Sequence, residues 1–307
     1  MFKSLLVPLD GSAFSERSLP LATTIARGSS AALHLLQVQQ PPVPGHLLSS
    51  TQFQYQGLDL DAYAARHREE AIARLDGTAE RIGREGVAAH AAVVEGRRVA
   101  DAIAEHAEAV GADAIVMTTH GRSGANRMWL GSVADGLVRH TTVPVILVHP
   151  EEEDETGVEA GSIRRIMVAL DGSDLAEAVL PPAAALADAT GGRLILAHVL
   201  TTGLLLGGDL LPLMPDDAVR VREEAETYLE GVAERLRADG RSVEIKLMES
   251  GSAGAAIPTM AQDARADLVA LATHGHGGLR RMVLGSVADK VLRSSPLPLL
   301  VLRPDTT

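Results

Sequence analysis

The apolar positions of this chain fall into short continuous runs, each followed by a segment with helical spacing. Residues 5–10 (Leu-Leu-Val-Pro-Leu-Asp) are apolar up to a closing carboxylate, which suits a strand buried on both faces of a parallel sheet. Gly-Ser-Ala-Phe-Ser-Glu follows, and the pattern predicts one helix running to Arg27. Residues 32–38 read as a second strand. Residues 39–60 carry Pro41, Pro42, Pro44 and Gly45 and read as a loop. Ala64, Ile72, Leu75, Ala79 and Ile82 lie near helical spacing and predict a long helix over 61–83. Strands at 87–94, 114–118 and 143–148 then alternate with helices at 99–109 and 133–139.

Residues 151–162 are acidic and without period, as expected of a solvated linker. Beyond them the pattern restarts. Residues 166–173 (Ile-Met-Val-Ala-Leu-Asp-Gly-Ser) repeat 5–12 in register, and 194–199 matches the second strand. The segment 217–236 matches the long helix, and 243–248, 268–272 and 297–302 match strands three to five. Residues 127–135 recur as 281–289 with the single exchange of Trp129 for Val283. The chain therefore reads as a tandem duplication: residues 1–150, the linker 151–162, and residues 163–307. Strands alternating with helices predict an α/β fold, each half a five-stranded, doubly wound parallel sheet with helices on both faces. The Leu-rich segment 204–213 is broken by Gly207, Gly208 and Pro212. It reads as a loop over a crevice or at an interface.

Each half repeats the order strand, Gly-rich loop, helix. This puts Gly131, Ser132 and Val133, and likewise Gly285, Ser286 and Val287, at helix N-termini, where unpaired N–H groups and the helix dipole favour an anion. Gly121 and Gly275 would let the backbone approach a bulky ligand. Ligands on doubly wound sheets bind beyond the carboxyl ends of the strands, where strand order reverses. Asp10, Val38 and Gly121 lie at such ends, as do Asp171, Val199 and Gly275.

Composition narrows the function. A net charge of −12 argues against a nucleic-acid partner, although a single nucleotide needs only local positive potential. With no cysteine, thiolate catalysis, disulfides and Cys-based zinc sites are excluded. No signal-peptide pattern and no membrane-spanning apolar run are evident, so a cytoplasmic protein without membrane contact is expected.

Val-Pro-Leu-Asp-Gly-Ser, Leu-Leu-Gln-Val and Thr-His-Gly-x9-Gly-Ser-Val-Ala together resemble the universal stress protein family, and the resemblance covers nearly all of both halves. It implies a tandem member with two Rossmann-like domains of the adenine nucleotide alpha hydrolase type, binding ATP or a related adenine nucleotide, with or without Mg²⁺. The family's ATP-binding subgroup carries Gly-x2-Gly-x9-Gly-(Ser/Thr). Here the second and third glycines stand in both halves, but the first position is Thr118 and Ala272. By the resemblance, Asp10 and Asp171 contact the adenosine, preceded by Pro8 and Leu9 and by Ala169 and Leu170. Val38 and Val199 flank the base. Met117 with Thr118, and Leu271 with Ala272, lead into the loops. Gly121, Arg122, Gly131, Ser132 and Val133, and Gly275, Gly285, Ser286 and Val287, hold the phosphates. The fifth strands would pair within one chain as a pseudo-dimer, with further homodimerisation left open.

Simpler roles stand beside these. Asp10 and Asp171 could cap the following helix. Arg122, Arg127, Arg280 and Arg281 could pair with phosphates or with solvent. His120 and His274 lack partners at ligand spacing common to both halves, which speaks against a side-chain metal site. The leading function is a nucleotide-binding regulatory module of the stress response. A weak ATPase is the first alternative, against which stands the missing Gly-x4-Gly-Lys-(Ser/Thr). A pseudo-dimer acting only through protein contacts is the second, favoured by Thr118 and Ala272.

Overall fold

The computed structural model describes residues 1–41, 60–119, 130–149, 163–201, 203–206, 209–212, 214–274 and 284–305. The first half contains β1 (Ser4–Pro8), α1 (Ala13–Glu16), α2 (Leu19–Ser29), β2 (Ala32–Gln39), α3 (Leu60–Arg84), β3 (Ala89–Glu95), α4 (Val99–Ala109), β4 (Ala114–Thr118), α5 (Ser132–His140) and β5 (Val145–Val148). The second contains β6 (Arg165–Ala169), α6 (Asp174–Glu177), α7 (Leu180–Thr190), β7 (Arg193–Thr201), β8 (Gly203–Leu206), β9 (Asp209–Pro212), α8 (Pro215–Ala238), β10 (Val243–Ser250), α9 (Ala253–Asp263), β11 (Leu268–Ala272), α10 (Ser286–Ser294) and β12 (Leu299–Leu302).

Two differences from the sequence pattern have local causes. The single helix expected after Asp10 is two, α1 and α2, because Pro20 near the start of α2 has no N–H with which to continue a helix from α1. Pro181 and Pro182 divide α6 from α7 in the same way. Of the segment 204–213, expected to be a loop, residues 204–206 and 209–212 belong to the antiparallel pair β8–β9, with Leu206 opposite Asp209. Two residues, Gly207 and Gly208, separate the strands, and Gly-Gly is a sequence suited to a two-residue hairpin connection.

The other strands form one ten-stranded sheet in the order β10-β7-β6-β11-β12-β5-β4-β1-β2-β3. Within each half all pairings are parallel, and the halves meet where β12 runs antiparallel to β5, with Leu300 opposite Ile146. Apolar side chains alternate between the faces, so the sheet carries a core on each side. One joins Leu5, Val7, Leu33 and Leu35 to α2, α3, α7 and α8. The other joins Leu6, Leu36, Ile115, Ala197 and Val269 to α4, α5, α9 and α10. Both cores cross from one half to the other. On the first face, α2 approaches α7 so closely that a Cβ added at Gly28 would lie 1.7 Å from the Ala189 carbonyl oxygen. On the second, Asp135 pairs with Arg139 at 2.8 Å and Asp289 with Arg293 at 3.0 Å, and Arg139 also reaches Asp289 at 3.9 Å. No helix among the described residues is long and apolar enough to cross a membrane.

Candidate functional site

In each half the strand order reverses between the first and fourth strands, β1 and β4 or β6 and β11, which opens a crevice at their carboxyl ends. The ladder continues one residue beyond each first strand: Leu9 N donates to Leu36 O at 2.7 Å, and Leu170 N to Ala197 O at 2.9 Å. Asp10 and Asp171 therefore stand at the crevice. The turn that follows passes through Gly11 and Gly172 at φ 79° and 86°, a conformation suited to glycine.

Neither aspartate is the helix N-cap. Asp10 Oδ1 accepts from the Ser12 amide at 2.9 Å and the Ser12 hydroxyl at 2.5 Å, and Ser12 Oγ accepts from Ser15 N at 3.2 Å. The second half repeats this at 3.0, 2.6 and 3.1 Å with Asp171, Ser173 and Ala176. The serine caps and the aspartate orients the serine, a local hydrogen-bonded turn typical of Asp and Ser. The field of Asp171 reaches Tyr228 on α8. Burial first, then Glu177 and Asp171, raise that phenol well above its ordinary range and keep it protonated.

On the other side of the crevice, Gly131 N donates to Thr119 O at 2.8 Å and Gly285 N to Thr273 O at 2.9 Å, holding the starts of α5 and α10 against the ends of β4 and β11. The N-caps are these two glycines, so no side chain caps the first-turn N–H groups. Ser132, Ser286 and Val287 are exposed and Val133 is half-buried. The first-turn carboxylates of these helices, Asp135 and Asp289, are engaged by Arg139 and Arg293, which reduces the repulsion an anion would meet there.

The second-half crevice contains a pocket of about 100 Å³. Five sequence-predicted residues converge on it: Ala169, Leu170, Asp171, Val199 and Ala272. Six more complete the lining: Ala176, Ala197, Ala253, Ile257, Thr273 and His274. Of these only His274 stands out in the sequence as a candidate for chemistry, and its Nδ1 lies 2.8 Å from Thr273 Oγ1. Ala253 and Ile257 come from α9, whose apolar face is turned to this side of the sheet. Aligning the two copies residue by residue would have drawn attention to the alanines, because several replace larger residues of the first half. Complete ligand sites typically enclose ~300–1,000 Å³. The described residues therefore form an inner wall, apolar except for Asp171, Thr273 and His274.

Leu271 and Met117 are buried in the strands' core, and Leu9 is buried in the core facing α2. Pro8 and Val38 are half-buried at their strand ends, and Thr118 is 5% exposed. Gly121, Arg122 and Gly275 lie outside the described residues, as do His120, Arg127, Arg280, Arg281 and the acidic segment 151–162. Among the described residues no group of three or more His, Asp or Glu could hold a metal ion.

Fold and crevice define a class: a tandem, doubly wound α/β protein with a crevice where strand order reverses. The universal stress protein family model matches residues 1–149 and 162–303, and the chain belongs to that family. The universal stress protein Rv2005c of Mycobacterium tuberculosis is 30% identical over 194 residues, covering 62% of this chain and 62% of that protein. The match thus spans under two thirds of the relative's length. The universal stress protein YxiE of Bacillus subtilis is 31% identical over 146 residues, covering 45% of this chain and 98% of that protein. A universal stress protein structure from Archaeoglobus fulgidus is 25% identical, covers 98% of each chain, and superposes with a TM-score of 0.67.

Proposed function

We propose that this protein binds ATP or a related adenine nucleotide at the strand-end crevice, as a regulatory module of the stress response. The observation that carries the reading is the second-half pocket, an apolar slot bounded by Asp171 with the uncapped start of α10 beside it. The alanine, valine and isoleucine wall offers the apolar surface that the face of an adenine ring would pack against. Ribose hydroxyls can donate to the Asp171 carboxylate, which accepts strongly because it is charged. Phosphates are favoured at first-turn N–H groups that no side chain caps. The functional units are residues 1–150 and 163–307, with 151–162 as a linker.

The test is thermal unfolding of the full chain with and without Mg-ATP. Ligand at 100 times its dissociation constant stabilises a site by ~2.7 kcal/mol, so Tm should rise by several degrees. Asp171→Ala should remove most of that rise. No rise at millimolar ATP contradicts the reading.

A further inference from the structure

The two crevices share a backbone and differ in side chains. The ladder bond past the first strand, the aspartate–serine turn and the glycine-to-threonine bond recur within 0.1 to 0.2 Å between the halves. The sheet registers also correspond, with Pro8 opposite Leu36 where Ala169 is opposite Ala197. On this common frame the second half carries alanine at five lining positions: Ala169, Ala176, Ala197, Ala253 and Ala272. In the first half the corresponding residues are Pro8, Ser15, Leu36, Val99 and Thr118. Every exchange enlarges the side chain.

Leu36 has no exposed surface and packs in the same core as Ile103 and Met117, on the face where Ala197 packs with Ile257. Its side chain thus takes up space that the methyl group of Ala197 leaves open. Thr118 is buried at the strand end, whereas Ala272 is partly open. Ser15 places its Oγ 3.2 Å from the Asp10 amide, where Ala176 has only a methyl group. Tightly packed interiors do not yield the volume of a ring without displacing side chains or backbone.

Building on the nucleotide reading above, we infer that the two sites are not equivalent: the second half takes the nucleotide's base, and Pro8, Leu36, Val99 and Thr118 close the corresponding slot of the first half. The duplication has left one binding domain and one with a filled crevice. The first half then serves as the rigid partner across the β5–β12 junction.

Hydrogen exchange on the full chain with and without saturating Mg-ATP tests this without any substitution. Slowed exchange is expected in residues 169–176, 197–199 and 253–257. Residues 8–15, 36–38 and 99–103 should be unchanged. Ala197→Leu, the residue already borne at the matching position by the first half, should weaken ATP binding by about tenfold or more. Ala272→Thr offers the same test at the strand end should Ala197→Leu fold poorly. Protection in both halves, or in the first alone, overturns the inference while leaving nucleotide binding intact. No protection anywhere, together with no measurable affinity, overturns both.

Discussion

A methyl group at Gly285 would lie 2.7 Å from the Thr273 carbonyl oxygen, closer than folded chains allow. That glycine has an ordinary negative φ of −59°, so it is the close approach of α10 to the end of β11, not an unusual backbone angle, that demands glycine there. Under the proposed nucleotide reading, phosphate binding would make the same demand of this residue as packing does, and a substitution tests both. Gly285→Val should lower the stability of the ligand-free protein by ~1–3 kcal/mol, read from the urea midpoint. Ser286→Ala, on an exposed side chain, should change it by less than ~0.5 kcal/mol. Equal stability of Gly285→Val and the wild type would refute the packing argument. The serine caps give a second residue-scale expectation. Ser173→Ala removes the acceptor for Ala176 N and should cost ~1 kcal/mol. An unchanged denaturation midpoint would mean that the turn is held by other bonds.

Helices α2 and α7 depend on each other through Gly28. Any side chain there collides with the Ala189 carbonyl, so Gly28→Val should destabilise the chain by several kcal/mol or drive the helices apart. Calorimetric Tm measures this, and a Tm within a degree of wild type would contradict it. Strands β2 and β3 carry a different dependence. His34 lies opposite His90, with ring centroids 5.3 Å apart. Burial, then the fields of His90 and His106, lower the pKa of His34 below 6.5. The unfolded chain therefore takes up the proton more readily than the folded one. Stability is fully present above pH 6.5 and is lost as pH falls toward and through the folded-state value. His34→Gln should flatten the decline in urea midpoint between pH 7.5 and 5.5, and an unaltered slope would assign the decline to other groups.

The elements were legible in the sequence to unequal degrees. Strands such as 5–8 and 268–272 are buried on both faces, so they read as unbroken apolar runs. The long helices were anticipated within a few residues at either end. The break before Leu19 was missed because apolar spacing continues across it while Pro20 ends the hydrogen bonding. The β8–β9 hairpin was missed because its leucines do not alternate with polar residues, although the Gly-Gly pair was a usable sign. At the site, Asp171, Val199 and Ala272 follow directly from strand ends, which motifs mark. Ala253 and Ile257 arrive from a helix whose approach is set by sheet twist and packing, and no local motif marks them.

For the molecule as a whole, duplication has built one sheet and two cores that both cross the midline. The β5–β12 pairing and the Arg139–Asp289 contact, together with α2 against α7, tie the halves on every side. Thermal unfolding of the ligand-free chain should therefore show one cooperative calorimetric transition, and two resolved transitions would mean that the halves are energetically separate. Joined in this way, the halves are free to diverge in side chains while keeping a common backbone. The alanine-lined slot of the second half and the filled slot of the first are such a divergence. The central claim is that an adenine nucleotide occupies the alanine-lined crevice, and calorimetric titration of Mg-ATP into the full chain tests it most directly. The account predicts saturable binding of one nucleotide per chain, lost in Asp171→Ala. Absence of binding heat at several temperatures, with no nucleotide retained by the purified protein, would contradict it.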